Sequence, residues 1–199
     1  MAEAFLTRVS GPVAPLLSVA EAKEHCRGDF NDDDVLLESY VAAATDMLDA
    51  EYGELGRALV TQTWALTLGA FPAATPIHLP FPPVQAVQSI TYYDADNAQQ
   101  TLSASVYRVT VQEEGARIDL VSGESWPVVY NRPDAITVTF DAGYADAASD
   151  VPEGIRLAAR LMVGHWYENR AAVTERSMAT LPLGIRAILN KYRVVRGHI

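Results

Sequence analysis

The first apolar pattern along the chain sits behind Ser18-Val19-Ala20-Glu21, where a hydroxyl at the cap position and a glutamate three residues on have the spacing of a capping box. It predicts a short helix running to about Arg27. A second helix is expected behind Asn31 and Asp32 as caps, because Val35, Leu36, Tyr40, Val41, Ala44, Met47 and Leu48 recur at helical spacing up to about Tyr52. Asp32, Asp33 and Asp34 fall in its first turn, where the helix dipole favours negative charge.

From Leu59 to Leu68 the period shortens to two. Trp64, Leu66 and Leu68 share one face of a β-branched run, which reads as a strand. Further strands are expected at 77–79, 87–93, 106–111, 116–121 and 135–140, separated by turn material such as Asp94-Ala95-Asp96-Asn97 and Glu113-Glu114-Gly115. Pro72, Pro76, Pro80, Pro82 and Pro83 fall within 12 residues, and each lacks a backbone donor, so this segment is no continuous central strand. It is either a rigid surface connection or a contact arm between subunits through Pro80, Phe81, Pro82 and Pro83.

Asp150, Pro152 and Glu153 together predict a helix start, with the helix continuing to about Arg170. Its buried stripe is Ile155, Ala158, Ala159, Met162, Val163 and Trp166. A polar stretch, 171–180, leads to Leu181-Pro182 and a last helix in which Ile185, Ile188, Leu189 and Tyr192 share one side. The expected fold class is α+β: a small helical bundle of two N-terminal and two C-terminal helices with an inserted antiparallel β-sheet or small barrel. Residues 1–56 and 150–199 supply the helices and 57–149 the insertion, within one domain.

Composition narrows the function. Of 199 residues, 49% are hydrophobic and 20% charged, as in a folded globular chain. No apolar run approaches the roughly 18 residues needed to span a bilayer, and the N-terminus lacks the pattern of a signal peptide, so a bacterial cytoplasmic origin with no membrane partner is expected. Cys26 is the single cysteine, which excludes an internal disulfide and a cysteine-rich metal site. The net charge of -10 argues against a nucleic-acid binder of the usual kind. Charge is also unevenly placed: residues 1–56 carry 12 acidic and 3 basic side chains, whereas 150–199 carry 4 acidic and 8 basic.

Candidate chemistry is sparse. His25, His78, His165 and His198 form no HxxxH or HExxH pair, so no metal site is expected. His165 and Glu168 share a helix face and are the one acid-base pair worth testing, against the plainer reading of a hydrogen-bonded helix end. Gly123-Glu124-Ser125-Trp126-Pro127 lacks the second glycine of a nucleophile elbow. Asp32-Asp33-Asp34 and Asp94/Asp96 lack the ligand spacing of a calcium loop. Neither catalytic residues nor a cofactor is expected. Trp64, Trp126 and Trp166 fit core or interface, and the tail after Arg193 is too short to order itself, so a partner chain is expected to hold it.

Five segments in this order and spacing carry a resemblance: LSVAEAKEHCR (17–27), ALVTQTWALTLGAFP (58–72), IHLPFPPVQAVQSITYYDAD (77–96), RPDAITVTFDAGY (132–144) and DVPEGIRLAARLMVGHWYENR (150–170). Over about Leu17 to Val195 the chain resembles the head-tail connector, or adaptor, proteins of long-tailed phages, prophages and phage-derived gene transfer agents. The resemblance implies a non-enzymatic dodecameric ring in the virion neck, beneath the portal protein. There it extends the DNA channel and links the capsid to the tail, with the next neck protein (a stopper) or the tail on its other side. It implies that the C-terminal segment reaches the portal, which here nominates Ile185, Ile188, Leu189, Tyr192, Arg193 and Arg196.

Charge agrees with that picture, because an acidic channel lets DNA pass without sequence-specific binding, and an acidic early half can meet a basic late quarter of the neighbour. The rival readings are another neck or tail-end ring protein, a stopper or tail terminator, which the four helices disfavour, and a small hydrolase built on His165 and Glu168.

Overall fold

A computed structural model describes residues 4–28, 31–50, 53–72, 76–169 and 183–194. Within them the chain forms two compact units, one drawn from 4–12 and 61–144 and the other from 13–60 and 145–194.

The first unit is antiparallel β structure. Strands β1 (Ala4–Ser10), β2 (Gln62–Leu68), β4 (Val84–Tyr93), β5 (Gln99–Thr101) and β8 (Ile136–Ala142) make a five-stranded sheet in the order β1-β2-β8-β4-β5. Strands β3 (Ile77–Leu79), β6 (Tyr107–Gln112) and β7 (Gly115–Leu120) make a second sheet ordered β3-β7-β6. Neither sheet closes into a barrel among the described residues, so of the two expected forms the open sheet is the one adopted. Alternation sets the core: Ile136, Val138, Phe140 and Ala142 on β8 are buried and pair with buried Trp64 and Leu66 on β2 and Ile90 on β4. Strands β1 and β5 escaped the sequence reading because every residue of β5 and all but Leu6 of β1 are exposed, leaving no apolar period to read.

Turn chemistry connects these strands. Asp94 accepts from the backbone N–H groups of Asp96 and Ala98, both at 3.0 Å, and so builds the β4–β5 turn rather than an ion site. Gly115, with φ +147°, opens β7 where a Cβ would stand 2.1 Å from the Leu79 carbonyl oxygen, so only glycine fits.

The second unit is helical. Helix α1 (Val19–Cys26) starts at the capping box read from sequence: the Ser18 hydroxyl accepts from Glu21 N–H and the Glu21 carboxylate from Ser18 N–H. Helix α2 (Asp34–Leu48) begins after Asp33, which makes no side-chain cap bond, instead of behind Asn31 and Asp32. Asn31 accepts from Lys23 Nζ at 2.6 Å, and Asp33 from the Tyr167 hydroxyl at 2.7 Å.

The α2 stripe also differs from expectation. Leu37, Val41, Ala44 and Leu48 face inward, while Val35 and Met47 are exposed. The expected stripe mixed two faces, because Val35 lies about 100° from Leu36 on a helix. The helix stops at Leu48 because Asp49 turns extended and its buried carboxylate accepts from Leu59 N–H at 2.8 Å. The expected end at Tyr52 lies outside the described residues.

Helix α3 (Glu153–Glu168) follows a one-turn 3-10 helix, Ala148–Asp150. Asp150 belongs to that turn and does not cap α3, because Pro152 takes the cap position. Glu153 therefore ion-pairs with Arg156 and Arg160. Ile155, Ala158, Ala159, Met162 and Val163 are buried, and half-buried Trp166 packs on Tyr40 with ring centroids 6.0 Å apart. No helix among the described residues is long and apolar enough to cross a membrane.

Candidate docking surface

Helix α4 (Leu183–Asn190) forms because Ile185 and Leu189 recur one turn apart and both are buried, 2% exposed, in the second unit. Ile188 and Tyr192 are half-buried. The segment that follows is pinned: Tyr192 and Arg193 N–H groups both donate to the Leu189 carbonyl, Val194 N–H donates to the Leu55 carbonyl at 2.9 Å, and Arg57 Nε donates to the Tyr192 carbonyl at 2.5 Å. The Tyr192 ring rests against Gly154, where a Cβ would come within 2.7 Å of its hydroxyl oxygen.

Of the apolar face nominated from sequence, Ile185 and Leu189 pack on their own unit, and the outer face of α4 is left exposed. Arg186, Asn190 and Arg193 follow one another at intervals of one helical turn, all exposed. With Glu54 and Leu189 they line an open cleft of about 320 Å³. Two guanidinium groups face one carboxylate, so the cleft carries a net positive charge and suits an acidic side chain on a protein surface. Sequence reading named Arg193 but missed Arg186, Asn190 and Glu54. The seven-residue interval from Arg186 to Arg193 was a readable signal; Glu54 comes from a distant segment and carried none. Arg196 and His198 lie outside the described residues, as do most of the tail and the stretch 170–182.

In the proline-rich segment, read as either a surface connection or a contact arm, Phe81 is buried with φ 63°, and its ring centroid lies 4.6 Å from that of Trp64. Pro82 is buried as well, while Pro80 and Pro83 keep partial exposure. Phe81 and Pro82 thus serve the core of the β unit, because turning the chain inward there places an aromatic ring over β2. Trp126 stacks on Phe71 with centroids 4.6 Å apart, and Arg8 lies 4.9 Å over the Trp64 ring.

The acid-base pair is not assembled. Exposed His165 has Nδ1 3.4 Å from the Asn169 amide, and no bond joins it to Glu168. Glu168 instead lies near half-buried Cys26, whose thiol is pushed up by burial and by that negative charge. His78 is exposed on β3, and no three metal-ligating side chains cluster among the described residues. Around α1, burial alone would raise the Glu21 carboxyl. The Ser18 N–H and hydroxyl and the charges of Arg156 and Arg160 outweigh it and hold the group below the usual carboxylate range.

The chain is thus of the mixed α+β class, with antiparallel sheets of five and three strands and an open, net positively charged cleft on α4. Over residues 15–195 the sequence matches the head completion protein family, and the chain belongs to that family. No curated protein matches. Among solved structures, the chain is similar to one in the virion of a native gene transfer agent particle and to one in the neck of an empty particle computed with C6 symmetry. Each is 25% identical with a TM-score of 0.78 over 98% of this chain and 97% of that one. A chain in the neck of a native particle computed with C12 symmetry shares the fold at 23% identity and a TM-score of 0.71, with the same coverage. The protein is a structural component of the virion neck, where head meets tail.

Proposed function

We propose that the chain is a head-tail connector that assembles as a dodecameric ring beneath the portal, extends the DNA channel and links the capsid to the tail. The family match over 15–195, in a fold shared with chains of particle necks computed with C6 and C12 symmetry, carries this reading. Its role is scaffolding rather than catalysis. The net charge of -10 fits a channel through which DNA slides, since a strongly basic lining would hold the phosphates. The portal is met by the α4 segment, with Arg186 and Arg193 as the charged contacts in place of the buried Ile185 and Leu189. A stopper or the tail takes the opposite side of the ring.

The test is negative-stain imaging and co-sedimentation of the full chain with purified portal rings. Wild-type protein is expected to add a closed ring to the portal, and Arg186→Glu with Arg193→Glu to lose co-sedimentation. A wild-type chain that neither closes into rings nor sediments with the portal refutes the connector reading.

A further inference from the structure

We infer that neighbouring copies join helix to helix, the outward face of α2 on one copy packing against the uncovered flank of α4 on the next. This rests on the ring reading. On α2, Val35, Ser39, Ala42 and Asp46 recur at helical spacing and form one outward stripe, with Ala43 and Met47 on one side of it and Glu38 on the other. All are exposed, Val35 at 80% and Met47 at 44%. Val35 and Met47 stand near the two ends of the face, with Ser39, Ala42 and Ala43 between them. A second helix can therefore come close at the centre and cover an apolar side chain at each end.

Helix α4 has a flank to match. Ile185 and Leu189 face their own unit, and Arg186, Asn190 and Arg193 line the cleft on one side of them. On the other side lie exposed Gly184 and Ala187, half-buried Ile188 and, just past the helix end, exposed Lys191. Glu38, Asp46 and Lys191 make no ion pair among the described residues.

Charge selects the occupant whatever the register. Residues 31–50 hold six acidic and no basic side chains, whereas 183–194 hold three basic and no acidic ones. Packing α2 on α2, or α4 on α4, sets like charges together; packing α2 on α4 sets opposite charges together, which guides encounter and orientation. This is also the pairing that a ring needs, because a ring joins two different surfaces of each subunit and a two-fold dimer joins one surface to itself. Helix α3 keeps the two surfaces apart. It packs against both α2 and α4, with Trp166 holding Tyr40 of α2 and Gly154 holding Tyr192 beyond α4, and these two positions point about 120° from each other around α3. The cleft on the other flank of α4 is left to the portal.

The test uses the full chain on purified portal rings, imaged by negative stain, with the melting curve of each free variant as the folding control. Ala42→Arg puts a long side chain at the centre of the α2 face, and Ala187→Arg does the same on the α4 flank. Both positions are exposed, so both variants are expected to melt like wild type and to form closed rings at least about tenfold less often, since every contact around the ring is weakened at once. In a Cys26→Ser background, mixed Ala42→Cys and Ala187→Cys chains assembled on portals are expected to cross-link to each other with a short bis-maleimide, and neither chain alone to do so. Normal rings from folded Ala42→Arg and Ala187→Arg, or wild-type rings whose cysteine variants give no heterodimer, overturn the α2–α4 contact and leave the connector reading intact. Ala42→Cys homodimers as the main product overturn it in favour of a two-fold contact. Failure of the wild-type chain to form rings at all overturns both.

Discussion

Leu189→Ala separates the packing of the C-terminal helix from its proposed role in docking. The side chain is 2% exposed and packs inside the helical unit beside Ile185, so truncation to a methyl group removes buried surface and leaves a cavity. Such changes cost about 2–5 kcal/mol. Leu189 also borders the open cleft, where water and neighbouring side chains move in readily, which puts the expected loss at about 2–3 kcal/mol. For a chain of this length each kcal/mol lowers Tm by about 2–4 °C, so the melting temperature should fall by roughly 4–12 °C. Thermal unfolding followed by far-UV circular dichroism, which reads the helices, gives the number. The charge reversals Arg186→Glu and Arg193→Glu touch exposed groups and should stay within about 0.5 kcal/mol of wild type. A Leu189→Ala chain that melts like wild type would show that α4 does not pack as described, and the division between a buried inner face and a docking outer face would fall with it.

Two further outcomes follow from local geometry. Gly115→Ala drives a methyl group against the Leu79 carbonyl oxygen at a φ that L-residues rarely adopt, so it should destabilise the β unit by more than about 1 kcal/mol; a denaturant midpoint equal to wild type would contradict it. Glu21 has a folded-state pKa below its unfolded value, so its contribution is present above the unfolded pKa, about 4.3 for glutamate, and is lost as pH falls through the folded value. Glu21→Gln should therefore flatten the acid limb of a Tm-against-pH profile, and an unchanged acid limb would refute the assignment.

What could be read from sequence followed from how each residue is used. The α1 capping box is local, so Ser18 and Glu21 carried it in four letters. Strand β8 showed itself because its alternating positions are completely buried. By contrast β1, exposed nearly throughout, signals nothing to a reading based on buried periods, although it borders the larger sheet. Phe81 was hidden by its prolines: composition marked a surface connection or a contact arm, and the positive φ at Phe81 accompanies a ring turned inward onto Trp64. At α4 the amphipathic pattern was correct, but it did not say that the chain's own unit covers Ile185 and Leu189. The inner face is taken by the chain's own unit, and Glu54 reaches the cleft only through tertiary folding.

The ties from Leu55 to Val194 and from Arg57 to Tyr192 join segments that are made far apart in time during synthesis. Helices α1 and α2 leave the ribosome early, but their partners α3 and α4 come from the far end of the chain, after the whole of 61–144. Until then Leu37, Val41 and Leu48 have only α1 and the segments next to α2 to cover them. The β unit is complete once β8 emerges, with β1 waiting at the N-terminus, so it is positioned to fold first and to act as a clamp. Closing it brings residues 60 and 145 together through the parallel bridge between Val60 and Ala145. That shortens the effective loop joining the two halves of the bundle and lowers the entropy cost of bringing them into register.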